Sequence, residues 1–214
     1  MVEKNTVKQV TEIERRVFVD EERPVMKEYY GILEMDLSSP ELLDAMQKLI
    51  EQDKDFYEPY LIAADILFAE SKNDEAAELL MQAYIGAVTR ISDSNDNWPD
   101  ELEWQCVENR HILRVLEEYG LLLWENDYFD EALELFRRML SMNPEDQQGV
   151  RYNMLAIKMN LGVYEWEDPF IVKDEHGCEV DLDDAKINAW FEQNAPQFPD
   201  EFQWLLDCYA QDDE

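Results

Sequence analysis

Residues 116–144 read LEEYGLLLWENDYFDEALELFRRMLSMNP, and this stretch decides the fold. Leu116, Tyr119, Gly120 and Leu123 follow one another at helical spacing, and Ala132 and Phe136 sit one turn apart in a second helical run. Gly120 and Ala132 are small enough for two helices to touch there, and Phe136 fills the gap one turn later. Pro144 stops the second helix because it has no N–H to donate and its ring clashes with the preceding turn. A helix pair of this kind buries its apolar face only by stacking on neighbours.

The same order of small and large residues resembles a tetratricopeptide (TPR) repeat. Trp104, then Glu108, Asn109 and Arg110, then Leu113 and Arg114 precede the repeat, and residues 143–152 (NPEDQQGVRY) follow it. The segment 104–164 is similar to a block in bacterial TPR proteins, where an ENR motif precedes the repeat and an NPxDNQGxR motif follows it. Gln147 stands where that block usually has asparagine, and the resemblance covers about a third of the chain. It implies stacked helix pairs and protein–protein interaction, and it carries no enzymatic role.

Outward from this block, Ser39, Pro40 and Glu41 read as a helix start, with a capping serine, proline at the first helical position and acid in the first turn. Leu42, Leu43, Met46, Leu49 and Ile50 carry that helix to about Gln52. Residues 56–69 and 74–91 form the next pair, with apolar positions Tyr60, Leu61, Ala64, Leu67 and Phe68, then Ala76, Leu79, Leu80, Ala83 and Tyr84. On the TPR ruler Ala76 matches Ala132, Asn73, Asp74 and Glu75 become the tight turn, and Ala64 stands where glycine is preferred. Ala76 and Ala132 are 56 residues apart. Tandem repeats recur every ~34 residues, so an insertion of about 20 separates the units. The polar break at residues 92–99 (SDSNDNWP) opens it, and a helix over residues 100–110, or one continuous helix from Glu101 to Asn126, is expected to follow.

Beyond Pro144, residues 145–161 fit the first helix of a third unit through Val150, Met154, Leu155 and Ile157, with Gly162 as its C-terminal stop. Asp168 and Pro169 then interrupt the pattern. Phe170, Ile171 and Val172, and Cys178, Glu179 and Val180, read as extended around Gly177, a short hairpin. Residues 183–194 and 199–209 read as two closing helices whose Trp190, Phe191, Phe202, Trp204, Leu205 and Leu206 cover the end of the stack. The expected organisation is an N-terminal arm or helix over 1–38, TPR-like repeats over 39–164 with an insertion near 92–100, and an acidic cap over 165–214. The fold class is all-α: a short TPR-like stack of helical hairpins (an α-α superhelix) with an irregular insertion and a C-terminal cap.

The formal net charge is −33. It is uneven, with −14 carried by residues 31–105 and another −14 by residues 161–214. A surface this negative repels nucleic acid and anionic membrane, so neither is an expected direct partner. Plain solubility accounts for the charge, and so does attraction to a basic partner. No apolar run approaches the ~20 residues of a membrane-spanning helix, and residues 1–10 lack the apolar stretch of a signal peptide. Cys106, Cys178 and Cys208 are odd in number and far apart, which reads as reduced thiols in a cytoplasmic protein.

In TPR folds the inner face is lined by the first helix of each pair. By ruler position those residues are Glu58, Leu61, Asp65 and Phe68, then Arg114, Glu117, Leu121 and Trp124, then Gln148, Arg151, Leu155 and Lys158. The partner-binding set taken from them is Leu61, Phe68, Arg114, Glu117, Leu121, Trp124, Gln148, Arg151, Leu155 and Lys158. Trp124, one turn from Leu121, is either an aromatic anchor or buried against the neighbouring helix. Glu108, Arg110, Arg114 and Arg151 read as a structural ion-pair network, with Asn109 and Gln148 tying down backbone groups. The alternative is an arginine clamp for an anionic ligand or a peptide carboxylate.

No GxSxG, GxxxxGK[ST] or GxGxxG motif is present. His176 and Cys178 lack the paired ligands of a zinc site, and His111 reads as packed or solvated. Asp93, Asn95 and Asn97 fail as a calcium loop because Trp98 occupies the glycine position. No cofactor or metal is expected. The leading function is a non-enzymatic adaptor that holds a peptide, helix or basic surface of a protein partner. Two other readings stay open: an acidic nucleic-acid mimic that inhibits a nucleic-acid-binding protein, and an accessory subunit of a larger complex.

Overall fold

A computed structural model describes residues 15–174 and 176–212. The first 14 residues of the expected N-terminal arm and the last two of the acidic tail lie outside the described residues. Among the described residues the fold is helical apart from one small hairpin. Its elements are α1 (Val25–Leu33), α2 (Ser39–Gln52), α3 (Glu58–Ala69), α4 (Asn73–Ile91), α5 (Arg110–Glu125), α6 (Phe129–Met142) and α7 (Val150–Lys158). They are followed by β1 (Ile171–Lys173), β2 (Glu179–Leu182), α8 (Asp184–Asn194) and α9 (Pro199–Asp212). Each helix from α1 to α7 packs on the next, α3 also reaches α5, and α8 rests on α7. The two strands pair antiparallel, the short hairpin expected around Gly177.

The cap of α2 is Ser38, not Ser39. Its backbone N–H donates to Glu41 Oε2 at 3.0 Å in a reciprocal capping box, which puts Ser39 and Pro40 in the first turn.

Three helices end alike. After α3, α5 and α7 the chain passes through a left-handed residue: Ser71 (φ 62°), Asp127 (φ 65°) and Asn160 (φ 58°). In each case the next N–H reaches back five residues, Lys72 to Leu67 O, Tyr128 to Leu123 O and Leu161 to Ala156 O, all at 2.9 Å. This bond satisfies a carbonyl that the helix end would orphan. The ends of α2 and α4 are capped by extended residues, Asp53 and Ser92. The turn before α4 therefore lies at Ser71 and Lys72, and Asn73, Asp74 and Glu75 already belong to the helix. Asn160, not Gly162, stops α7, because the left-handed site falls two residues earlier.

The helices of the α5/α6 pair meet through small residues, as the opening stretch predicts. Gly120 and Ala132 are buried, and a Cβ built on Gly120 would lie 2.5 Å from the Phe136 ring. The first pair, expected from residues 56–91, forms as α3 and α4. The third does not complete. After α7 the chain turns through Trp166, which stacks on Trp190 of α8 with centroids 5.5 Å apart. Phe191, Phe202 and Leu205 are buried in the closing helices, whereas Trp204 is 45% exposed. Arg137 of α6 holds Glu201 of α9 at 2.6 Å.

The expected helix over residues 100–110 is absent. Residues 16–18 lie alongside this stretch and hold it extended: Asp100 N–H donates to Arg16 O at 2.8 Å and Phe18 N–H to Glu101 O at 2.9 Å. Leu102 N–H is taken by Met142 O at 3.0 Å. These long-range bonds outweigh the helical propensity of ELEW. A single 3₁₀ turn, Val107–Asn109, then leads into α5. The Asn109 carboxamide accepts from Asp20 N–H at 2.9 Å and donates to the carbonyls of Phe18 and Glu103. Asp20 is wholly buried and meets Arg23, Arg90 and His111. Burial alone would push its carboxyl up, but the hydrogen bonds from these three side chains win and hold it well below the usual carboxylate range.

Candidate functional site

Most polar residues of the expected binding set are spent inside the fold. Arg114 reaches Glu58, which is buried, and together with Arg110 it lies over the Trp104 ring, each guanidinium 5.2 Å from the centroid. Arg151 holds Asp146 at 2.9 Å, and Asp146 in turn accepts the N–H groups of Val150 and Arg151 at the start of α7. Gly149 takes φ 78° in that approach, which explains the glycine of the NPEDQQGVR run. Gln148 donates to Glu117, and Lys158 lies 3.7 Å from Glu201. These arginines serve carboxylates of their own chain, so no clamp for an outside anion forms. Trp124 (3% exposed) and Leu155 (0%) belong to the core and offer nothing to a partner. Both fill the space between stacked helices, where large apolar side chains gain most from burial.

Leu61, Phe68, Glu117 and Leu121 of the set are only partly buried. Phe68 and Leu121 help line a groove of about 660 Å³ between α3, the start of α4, and α5. Leu122 and Tyr164 add apolar surface, and Asp65, Asp74, Glu118 and Glu125 add four carboxylates. No lysine or arginine is among the lining residues. Glu118 touches solvent, yet the helix walls around it and the nearby charge of Asp65 push its carboxyl up to about 7. Burial raises Asp65 as well. The Tyr164 hydroxyl is raised by burial and then by the charges of Glu125, Glu118 and Asp65.

Asp74, Glu118, Leu122, Glu125 and Tyr164 were not on the expected inner face. On α5 the groove takes residues 118, 121, 122 and 125 instead of 114, 117, 121 and 124. The helix is turned by about one residue, because the bulky Trp124 turns inward. The only readable signal was the i, i+4 spacing of Glu118 and Leu122 and of Leu121 and Glu125 on one side of α5.

Beside this groove, Glu117 opens on a smaller polar pocket of about 390 Å³ that reaches α8. Burial, then the charge of Glu118, pushes the Glu117 carboxyl up to about 8, against the hydrogen bond from Gln148. Across the pocket the Tyr152 hydroxyl donates to Asn188 Oδ1 at 2.6 Å.

Among the described residues no group of His, Cys, Asp and Glu is placed to hold a metal. Asp93 instead closes its own loop, accepting from the N–H groups of Asn95 and Asn97 at 2.7 and 3.0 Å. His111 is buried; its Nδ1 accepts from Tyr57 N–H at 3.2 Å and its Nε2 meets Asp20 at 2.9 Å. Both ring nitrogens are thus engaged within the fold. Among the described residues no helix is long and apolar enough to cross a membrane. No protein-family model matches the chain, and neither the curated proteins nor the solved structures contain a significant match to it.

Proposed function

We propose that this chain is a helical scaffold of TPR-like architecture that binds a basic segment of a partner protein in the groove between α3 and α5. Two features support the architecture. The same left-handed turn closes α3, α5 and α7, and the small residues Ala64 and Gly120 stand at equivalent places 56 residues apart.

The observation that carries the binding reading is the set Asp65, Asp74, Glu118 and Glu125 in a groove with no cation among its lining residues. Carboxylates crowded without a counter-charge raise one another's energy, and a lysine ammonium or arginine guanidinium relieves that repulsion as it enters. Its alkyl stem would pack on Phe68, Leu121 and Leu122 while the charged head meets Glu118 and Asp65. The chain's net charge of −33 would speed the encounter. Protonating Glu118 removes one acceptor, so affinity should fall as pH drops below about 7. The reading needs no catalytic step. Three free cysteines fit a reducing compartment, and on that ground we place the scaffold in the cytoplasm.

The test is fluorescence anisotropy with short labelled peptides that alternate lysine or arginine with leucine. Binding should weaken at high salt and at pH below about 7, and the double variant Asp65→Asn, Glu118→Gln should cost at least ~tenfold in affinity. Equal affinity for a glutamate-for-lysine peptide, or no response to the double variant, would overturn the reading.

A further inference from the structure

The other side of α5 carries a surface of different chemistry. Tyr84 of α4 and Tyr119 of α5 stack face to face, centroids 3.9 Å apart at 12°. Trp98, from the insertion, joins them, and with Leu123 and Leu135 they line an open groove of about 600 Å³. Its rim on α6 is acidic: Asp130 and Glu131, beside Glu134, which is paired to Arg138. Arg138 is the one cation among the lining residues; it lies 5.2 Å from the Trp98 centroid and donates to Glu134 at 3.1 Å, so its charge is already answered.

Along α4 the apolar character continues. Met81, Tyr84, Ile85 and Val88 follow the i, i+3, i+4, i+7 spacing of a single helix face. Met81 is 43% exposed and Ile85 55%, while Tyr84 and Val88 are half-buried. Residues 73, 74, 77 and 80 of the same helix serve the acidic groove, so this stripe is a separate face. An apolar stripe at helical period beside an aromatic groove is what an incoming amphipathic helix matches. The acidic rim selects the flank of that helix.

We propose that the α4 stripe and the Tyr84–Tyr119–Trp98 groove form a second docking surface, which takes an amphipathic helix of a partner protein with lysine or arginine on the flank facing α6. A second copy of this chain is the poorer occupant, because it would bring another net charge of −33 to the contact. The proposal does not depend on the acidic groove and can fail or stand without it.

The test uses a synthetic amphipathic peptide with a leucine face and lysine flanks, and its twin with glutamate flanks, titrated against the full chain by calorimetry. The lysine peptide should bind, and Ile85→Glu and Trp98→Ala should each weaken it at least ~tenfold. Ile85 is exposed, so its substitution should leave the thermal melt unchanged. The added negative charge would strengthen mere charge attraction, so a loss isolates apolar docking. Asp65→Asn, Glu118→Gln should leave this binding intact. Full affinity in Ile85→Glu, equal binding of the glutamate twin, or loss only in the groove variant would overturn the proposal. So would a dimer of the chain, seen by light scattering, that Ile85→Glu dissociates, since the surface would then belong to a second copy.

Discussion

The α3/α4 and α5/α6 pairs use one layout with different side chains. Where the second pair has Gly120 under Phe136, the first has Ala64 and, four residues after Ala76, Leu80. The exchange balances in volume: Ala64 is larger than Gly120 and Leu80 smaller than Phe136, and the Phe136 ring occupies the place a Cβ on Gly120 would need. Equivalent positions also carry opposite charge. Glu58 and Arg114 stand 56 residues apart on the ruler and bond to each other across the α3–α5 contact. One pair thus completes the other. The comparison teaches that what recurs at the small-residue contact is the summed volume, not the residue.

The sharpest break of that comparison is Gly120→Leu. It should destabilise the chain by more than ~3 kcal/mol, since a ring already fills the site and overpacking alone typically costs ~1–3. An unchanged thermal melt would show that the α5/α6 contact is not the close one described. Gly120→Ala should cost about 1–3 kcal/mol by the same mechanism, and adding Phe136→Leu should recover part of it, making the second pair like the first. Strict additivity of the two changes in a denaturant-melt cycle would refute the compensation.

Glu117→Gln sharpens the contrast in a different way, because the ruler equivalent of Glu117 in the first pair is the neutral Leu61. The folded pKa of Glu117 is raised to about 8. Between the ordinary glutamate value and that value the folded chain holds a proton that the unfolded chain lacks, so stability is lost as pH rises through this window. The glutamine variant should lack that loss, and its advantage in melting temperature over the parent should grow from pH 5 to pH 9 (about the span of the shift). A constant difference across the range would contradict the burial of Glu117. The smallest effect belongs to the shared turns. Ser71→Gly and Asp127→Gly should each stabilise by up to about 1 kcal/mol, because glycine adopts a positive φ without strain; a loss of stability in both would mean the side chains do something the backbone does not reveal.

Helix content and the burial of Gly120 and Ala132 were legible because period and small-residue placement are local signals. The short hairpin and the two closing helices were legible for the same reason. The extended run at residues 101–103 was not. Its sequence favours helix, and what overrides it is pairing with residues 16–18, more than 80 positions away. The turn before α4 and the stop of α7 were misplaced by two or three residues because Ser71 and Asn160, unlike glycine, do not announce a left-handed conformation.

The candidate surfaces were only half legible. Phe68 and Leu121 followed from the ruler, but Trp124 could be assigned neither to core nor to surface from spacing alone. The acidic groove depends on the rotation of α5 about its own axis, and that angle is set by which side chains fill the neighbouring gap. The stacked pair Tyr84 and Tyr119 comes from positions 35 residues apart, brought together by the packing of α4 on α5.

By itself the sequence determined that the chain is helical, strongly acidic and held together at small-residue contacts, because periodicity, net charge and side-chain volume are properties of the string. Only the tertiary structure decided which carboxylates share a groove and which arginines are already taken. Burial and pairing depend on the rotation and stacking of helices, and these are fixed by contacts between residues far apart in the chain.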